Sequence, residues 1–529
     1  MAATTATRQM TAGALVVRAL ERHRVEIVFG IPGTHNLPIY AALPGSGIRH
    51  VTPRHEQGAG YAADGYARAS GRPGVVVATT GPGVLNAATA AAQAWSDSVP
   101  LLLLAPGMPL HHPAASTGYL HEMLDQRLAL SGVVERAVRV ESHADLSREL
   151  ADAFASFAGR RPRARYIEVP LDLLAVEDPC APLVAPTLAP RAPAAEAVTA
   201  AADTLSGARR PLVVAGGGSH RAAGELAELL DRGVPVMTTT NGKGVVDEHH
   251  PLALGARLPT AAGRRLVQEA DVLLVVGSDL GQSDHWSTLE ADGFVIRVDI
   301  DAAQAHGNIP AGLALVSDAA VTLRLVLEQL DPGAPAPDPA WIERRAAADA
   351  ETTELGRPWA GVATALEAVL GPGDVVTADN AMVAYNGLLA PLRLDAGSRF
   401  LFPAGFGTLG YALPAAIGAK LARPDHRVVA VHGDGGIMFT LPELATAAEL
   451  GLPLPVVVSL NGGYGEIRRE MMAQGMAPLA VDLGAPDLPA AARALGGHGE
   501  ALGGPDELAA ALEAAFQRPG PTVITVPEA

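Results

Sequence analysis

Two short runs in the last third of the chain combine an acid, an amide and glycines in a way that suits a metal-bound phosphate. The first is His432-Gly433-Asp434-Gly435-Gly436, which follows an apolar run and leads into a helical pattern containing Glu443 and Leu444. Glycines let the backbone approach a ligand, and free N–H groups at a helix start attract phosphate. Asp434 offers a hard oxygen of the kind Mg²⁺ takes. Taken alone, the same run also describes an ordinary tight turn. The second run, Asn461-Gly462-Gly463-Tyr464-Gly465, begins 27 residues after Asp434 and follows an apolar run ending at Leu460. One helix and one strand fit between the two, so both side chains emerge at the same sheet edge. The Asp434 carboxylate, the Asn461 carbonyl and a backbone carbonyl make half an octahedron, which Mg²⁺ completes with phosphate oxygens and water.

Other groups could do acid–base or charge-pairing work. Glu56 opens a helical, close-packed Ala/Gly/Tyr pattern in His55-Glu56-Gln57-Gly58-Ala59-Gly60-Tyr61. On its own, an acid there reads as a helix-capping residue. His111 and His112 are adjacent, and imidazoles titrate near neutrality; a solvated loop pair has the same sequence. Glu122, Asp125 and Asp279 are carboxylates that can serve as helix caps and ion-pair partners.

The elements that must position these groups follow from the hydropathy pattern. Short apolar runs at 26–30, 75–79, 101–105 and 166–169, at 212–215, 272–277 and 295–299, and at 375–378, 428–432, 456–460 and 523–526 alternate with amphipathic stretches. Continuous apolar strands between helices imply parallel sheets covered on both faces. Such sheets bind ligands beyond their strand C-termini. Proline-rich stretches at 179–193 and 331–339 read as linkers without regular structure. They divide the chain into three α/β domains, 1–180, 190–330 and 340–529.

Composition narrows the function classes. At 529 residues, 49% hydrophobic and 18% charged, the chain is too apolar for disorder. A formal charge of −17 argues against a nucleic-acid partner. The single cysteine, Cys180, excludes an intrachain disulfide and a cysteine-rich metal site. The start, MAATTATRQM, has no apolar core of a signal peptide, and no run approaches the ~18–20 residues that span a bilayer. A cytoplasmic protein acting on a small molecule, with no membrane partner, is expected.

The Gly-Asp-Gly and Asn runs together resemble the diphosphate-binding motif of thiamine diphosphate enzymes, with Gly462 where the family carries a second Asn. The resemblance implies thiamine diphosphate and Mg²⁺ as cofactors, with Asp434, Asn461 and Gly463 on the metal and Gly433, Gly435, Gly436 and Tyr464 around the diphosphate. Gly30-Ile31-Pro32-Gly33, the Glu56 segment, and Thr80-Gly81-Pro82-Gly83 with Asn86 match the family's N-terminal domain in order. Glu56 is then the carboxylate that activates the aminopyrimidine, with Gly33 and Asn86 at the cofactor and Thr34 at the substrate. Phe406-Gly407-Thr408-Leu409-Gly410-Tyr411 resembles the segment whose Leu wedges the two cofactor rings, which places Thr408 and Leu409 there. Asp379-Asn380 ends the preceding strand, with Asn380 beside the aminopyrimidine. The domain order is that of the acetolactate synthase and 2-oxo acid decarboxylase group: pyrimidine-binding, central Rossmann-like and diphosphate-binding. In that group Glu and diphosphate site come from different subunits, so a homodimer is the minimum active unit and a homotetramer is expected.

The same resemblance bears on the reaction. Acetolactate synthases carry an Arg after a central strand ending in Gly, where this chain has Ser278-Asp279, and a Phe-Gln-Glu motif, which here reads Leu120-His121-Glu122. Both departures count against a true acetolactate synthase. His111-His112 resembles the His pair of pyruvate decarboxylases, whereas the catalytic Glu of those enzymes is replaced by Ile467, with Glu466 one position before. The runs 47–58 and 120–127 are similar to 5-guanidino-2-oxopentanoate decarboxylases, while the loop 106–117 diverges; the resemblance implies a guanidinium tail, for which Asp279, Glu122 and Asp125 offer carboxylates. The expectation is a non-oxidative decarboxylase of a 2-oxo acid, with Glu56, His111, His112 and His121 catalytic and Thr34, Glu122 and Asp279 at the substrate. An acyloin-forming carboligase and a non-catalytic homologue are the alternatives. Gly216-Gly217-Gly218 and Asn241-Gly242-Lys243-Gly244 are Gly-rich turns of a kind that admits FAD, but no residue specifies it.

Overall fold

The computed structural model of the chain describes residues 8–113, 116–331, 339–484 and 486–528. Eighteen of its strands form three six-stranded sheets, and every pairing within them is parallel. The fold is therefore three α/β layers systems, as the apolar runs imply. Two sheets share one topology. In the first, strands run in the order Arg49–Val51, Ile27–Gly30, Gly74–Val77, Leu101–Gly107, Arg165–Pro170, Arg136–Arg139. In the last, the order is Arg399–Leu401, Val375–Ala378, Val428–Gly433, Leu454–Leu460, Pro521–Pro527, His498–Ala501. In both, the chain reverses direction of growth between its first and third strands. That reversal opens a crevice at the strand C-termini where ligands bind. The central sheet runs Ala253–Gly255, Val236–Thr238, Pro211–Ala215, Val272–Val276, Phe294–Asp299, Leu313–Val316, the order of dinucleotide-binding sheets.

The chain packs into two compact units. One comprises Met1–Leu188 with Leu413–Pro424 and Thr440–Leu452; the other comprises Ala189–Ala412, Asp425–Phe439 and Pro453–Ala529. In the first unit both sheet faces are covered. Leu15, Leu20, Leu146 and Leu150 pack on one face, and Ala59, Ala63, Val84 and Ala91 on the other. The second face is built from small residues, so its helices lie very close. The helix Glu56–Ser70 begins at His55, whose Nδ1 accepts from Gln57 N at 3.1 Å, and ends at Gly71 in the left-handed region, φ +73°. At Gly65 a Cβ would stand 2.1 Å from the Ala415 carbonyl oxygen, so only glycine fits.

Within the three six-stranded sheets, seven strands lie outside the apolar runs: 49–51, 136–139, 236–238, 253–255, 313–316, 399–401 and 498–501. Six of them are sheet edges, short and exposed on one side, so they need no continuous apolar run. The linker expectation needs two corrections. Pro179 and Cys180 close the strand Glu177–Cys180, which pairs antiparallel with Arg8–Thr11. A two-stranded ribbon has one open side per strand, where a missing N–H costs nothing. Pro339 opens the helix Pro339–Gly356, since the first turn needs no donor from it. Residues 332–338 of that linker, 114–115 of the divergent loop and 1–7 of the N-terminus lie outside the described residues.

The Gly65→Ala variant should be less stable by about 2 kcal/mol, the usual scale of overpacking. A fall of several degrees in melting temperature would show it; an unchanged melting curve would contradict the close helix approach.

Candidate active site

In the second unit, neighbouring parallel strands deliver the two runs that opened the sequence reading. Gly433 pairs with Ser459, so the turns that follow stand side by side. Asp434 begins the short helix Asp434–Ile437 and is 5% exposed. Its Oδ1 accepts from Gly435 N at 2.8 Å and Gly463 N at 3.2 Å. Its Oδ2 accepts from Gly462 N at 2.7 Å and Asn461 N at 3.1 Å. The Asn461 Nδ2 donates to Glu528 Oε1 at 3.2 Å, which turns the amide so that Oδ1 is buried with no partner. A partnerless buried acceptor beside a carboxylate is the donor set a hard cation completes. Gly433, Gly435 and Gly436 are buried along the same turn, and the Tyr464 ring comes within 2.9 Å of where a Gly435 Cβ would be. Asp434, Asn461 and Gly463 could hold Mg²⁺ here, and the glycine turn a phosphate.

The adjacent strand Val375–Ala378 ends in Asp379, which organises the segment around Leu409. Asp379 Oδ2 accepts from Gly410 N at 2.8 Å, and Oδ1 from Tyr411 N at 3.3 Å. His432 Nδ1 lies 3.0 Å from Asp379 Oδ2, and both side chains are fully buried. Asn380 Nδ2 donates to the Thr408 carbonyl at 2.8 Å, while Tyr385 Oη donates to Asn380 Oδ1 at 3.0 Å. The backbone on both sides of Leu409 is thus held by the Asp379 and Asn380 side chains, while the Leu409 side chain is only partly buried. Burial, reinforced by the charge of Glu466, holds the Tyr385 phenol above its ordinary value, so it is a donor.

In the first unit, Glu56 is 8% exposed at its helix start. Asn86 Nδ2 donates to Glu56 Oε2 at 2.9 Å, leaving Oε1 toward Gly83. Burial, with Glu56 nearby, raises the Tyr40 phenol. Glu443 clamps the helix entry: Oε1 accepts from Arg54 N and His55 N, both at 3.0 Å, and Oε2 from Thr446 Oγ1 at 2.7 Å. Burial pushes the Glu443 carboxyl up despite these donors. At the end of strand Ile27–Gly30, Gly33 N donates to Asn36 Oδ1 at 2.8 Å, and Thr34 is exposed beside it.

The loop after strand Leu101–Gly107 sorts the histidines. His111 is exposed. His112 Nε2 lies 2.6 Å from Glu122 Oε1, and Glu122 also accepts from Thr117 N and Gly118 N, both at 2.8 Å. The His112 contact is the main reason the Glu122 carboxyl is lowered to about 2. The ring of His121, the residue before Glu122, lies 5.1 Å from the ring of His35. Asp125 caps the next helix, accepting from Leu128 N at 2.7 Å. Gln126 accepts from Gly81 N at 2.7 Å and donates to the Pro106 carbonyl at 2.8 Å, fixing the Thr80-Gly81 turn.

Comparison with known proteins bears on all of these elements. Three family models match in order: the thiamine pyrophosphate enzyme N-terminal TPP binding domain over residues 10–129, the central domain over 198–328 and the C-terminal TPP binding domain over 384–526. A Pseudomonas aeruginosa protein named probable 2-ketoarginine decarboxylase AruI is 41% identical, over 98% of this chain and 94% of its own. The acetolactate synthase large subunit of Parasynechococcus marenigrum is 34% identical, over 98% and 88%. Isozyme 1 of the Escherichia coli acetolactate synthase large subunit is 31% identical, over 88% and 84%. The chain belongs to the thiamine pyrophosphate enzyme family. It is an enzyme of that family, with a decarboxylase and carboligases among its relatives.

Within this thiamine pyrophosphate enzyme, several side chains at the site carried no sequence signal of their own. Glu443 lay in an expected helix, but its role as acceptor for Arg54 and His55 depends on a fold-back over nearly four hundred residues. Glu528 sits at the end of the last strand and orients Asn461. His432 was visible only as the residue before a glycine turn. Among the described residues, no helix is long and apolar enough to cross a membrane.

The Gly-rich turns of the central sheet have packing reasons. A Cβ at Gly216 would stand 2.3 Å from the Gly277 carbonyl oxygen, and Gly218 N donates to that oxygen at 3.0 Å. Lys243 is fully buried, with Nζ 2.5 Å from Glu248 Oε2 and bonded to the Leu392 carbonyl; burial lowers its ammonium. Asp279 is partly buried, its carbonyl accepting from Asn308 Nδ2 at 2.9 Å and its charge beside the buried Arg297.

The Glu122 clamp gives a pH expectation. Its carboxyl is lowered on folding, so its contribution is complete above about pH 4.5 and is lost as pH falls through about 2. Limited proteolysis around residues 112–122 should therefore be equally slow at pH 7 and pH 5, and faster in Glu122→Gln at both. Equal cleavage of the variant and the parent would refute the clamp.

Proposed function

We propose that this enzyme is a thiamine diphosphate- and Mg²⁺-dependent non-oxidative decarboxylase of a 2-oxo acid with a guanidinium tail, 5-guanidino-2-oxopentanoate or a close analogue, releasing CO₂ and an aldehyde. The similarity to a protein named for 2-ketoarginine, spanning 98% of the chain, carries the substrate class. The buried, partnerless Asn461 Oδ1 beside Asp434 supports the metal. The proposed domains are 1–180, 190–330 and 340–529, acting as at least a homodimer and as a homotetramer in the full assembly, in the cytoplasm.

Each site residue has a defined task in this reading. Asp434, Asn461 Oδ1 and the Gly463 carbonyl would hold Mg²⁺, and the glycine turn of Gly433, Gly435 and Gly436, with Tyr464, would receive the diphosphate. Leu409, braced through Thr408 by Asn380 and through Gly410 by Asp379, would stand against the bound cofactor. Bound thiamine diphosphate supplies the carbon nucleophile and the electron sink for the 2-oxo acid. Glu56 holds a proton at Oε1 for the aminopyrimidine, because Asn86 already occupies Oε2. Gly33 and Asn86 border that ring, and Thr34 and Asp279 face the substrate. Of the three proton-handling candidates, His111, His112 and His121, the first is exposed and the second is engaged by Glu122, which favours His121.

Carboligation to an acyloin is the second reading, favoured by the acetolactate synthases among the relatives. Mass identification of the product from 5-guanidino-2-oxopentanoate and from pyruvate separates the two. An aldehyde from the guanidino acid supports decarboxylation, and a hydroxyketone from pyruvate supports carboligation.

Glu56→Gln should leave cofactor affinity within a few fold while turnover falls by about 10²-fold or more, the scale of lost acid–base catalysis. Full activity in that variant would remove Glu56 from the mechanism. Asn461→Ala should weaken Mg²⁺-dependent cofactor binding in calorimetry by at least about tenfold, the scale of about 1.4 kcal/mol. Unchanged binding would exclude the proposed ligand set.

A further inference from the structure

Beside the Glu56 region, the first unit contains a second histidine arrangement that the adjacent pair His111-His112 obscures. His35 follows Thr34 on the turn after strand Ile27–Gly30 and is 7% exposed. His121 comes from the loop after strand Leu101–Gly107 and is partly buried. Their ring centroids are 5.1 Å apart, edge to face. On both rings Nδ1 is buried without a hydrogen-bond partner. Buried polar atoms in native proteins are nearly always paired, so two adjacent orphans mark a place where a ligand supplies the partner. His121 also holds φ +62°, a region that side chains other than glycine rarely adopt. Its carbonyl oxygen would lie 2.7 Å from a Cβ at Gly81, in the turn leading to Gly83. Gly83 in turn approaches Glu56 Oε1, which stands 3.2 Å from its would-be Cβ. The histidine pair and the Glu56 carboxyl therefore share one neighbourhood.

We propose that His35 and His121 supply the proton that replaces the departing carboxylate, His35 at the reacting carbon and His121 as its link to solvent. This inference rests on the decarboxylase reading. The balance requires such a donor: R–CO–COO⁻ and H⁺ become R–CHO and CO₂. The pair of electrons from the broken C–C bond becomes the new C–H bond, and one proton is consumed per turnover. His35 gives the proton from a ring nitrogen and recovers one from His121, which is the more accessible of the two.

The surroundings suit this role. The His35 ring meets those of Tyr119, at 6.2 Å, and His121 from the opposite loop. Tyr119 in turn lies 5.4 Å from the ring of His112, which engages Glu122. Burial, and then the charge of His121, lowers His35, so it is a neutral imidazole near pH 7 with both a donor and an acceptor nitrogen.

Two measurements on the holoenzyme test the pair. Aldehyde formation from 5-guanidino-2-oxopentanoate is compared with CO₂ release in the presence of ferricyanide, an electron acceptor that makes the final protonation unnecessary. His35→Gln should lose aldehyde formation by about 10²-fold, as for a lost general acid, yet retain ferricyanide-coupled CO₂ release within a few fold. Equal loss in both assays, or no loss in either, overturns the proposal. If the parent enzyme releases no CO₂ from any 2-oxo acid in either assay, the decarboxylase reading itself fails, and the proposal with it. Should His35→Gln unfold by circular dichroism, His121→Gln, at a more accessible position, serves for the same comparison. Independently, ¹³C-histidine NMR should show the His35 titration moving upward in His121→Gln. An identical His35 titration in the parent and in that variant would show that the rings are not coupled.

Discussion

The Asp434 carboxylate is the constraint on which the diphosphate half of the site depends. It is nearly buried, and four backbone N–H groups from two different turns converge on it. Hydrogen bonds to a charged group contribute about 1.5–3 kcal/mol each, roughly twice the neutral kind. Three of the four come from Asn461, Gly462 and Gly463. The same bonds that satisfy Asp434 therefore position the amide and the carbonyl expected to join it on the metal. Parallel pairing of the two strands makes this possible, because it brings their C-terminal turns to one edge in register.

The same device recurs where no metal is expected. Asp379 accepts from Gly410 and Tyr411, and Glu443 accepts from Arg54 and His55. Each is a buried carboxylate that takes up backbone donors from a loop without regular pairing. A loop beside a ligand cannot bury its N–H groups in a sheet ladder, so a side-chain acceptor must satisfy them. The result is a Leu409 segment and a Glu56 helix start held by buried acids through their backbone N–H groups. Small residues complete the arrangement in the first unit, where Gly65 meets the Ala415 carbonyl and Ala-rich helices cover the sheet.

Histidine placement shows how adjacency in sequence differs from adjacency in space. His111 and His112 are consecutive, yet one is exposed and the other is engaged with Glu122. His35 and His121, 86 positions apart in the chain, have their rings in contact. Asp125, a candidate for substrate charge, caps a helix instead. Acidic residues near a glycine-rich site thus divide between caps, clamps and ligands by what the backbone around them lacks.

The sequence by itself determined the parallel α/β character, because strands buried on both faces must be apolar throughout. It also determined the Asp434 and Asn461 pair, because a strand–turn–helix–strand spacing brings two turns to the same sheet edge whatever the rest of the chain does. Both are local consequences of chain geometry. The edge strands left weak traces, since an exposed edge does not demand an apolar run. Only the tertiary structure decided that Glu443 closes on the Glu56 helix, that Asp379 braces Leu409, that Asn86 takes one oxygen of Glu56 and that His35 meets His121. Those contacts depend on strand order and on segments distant in the chain, and a backbone N–H that needs an acceptor has no residue type to announce it.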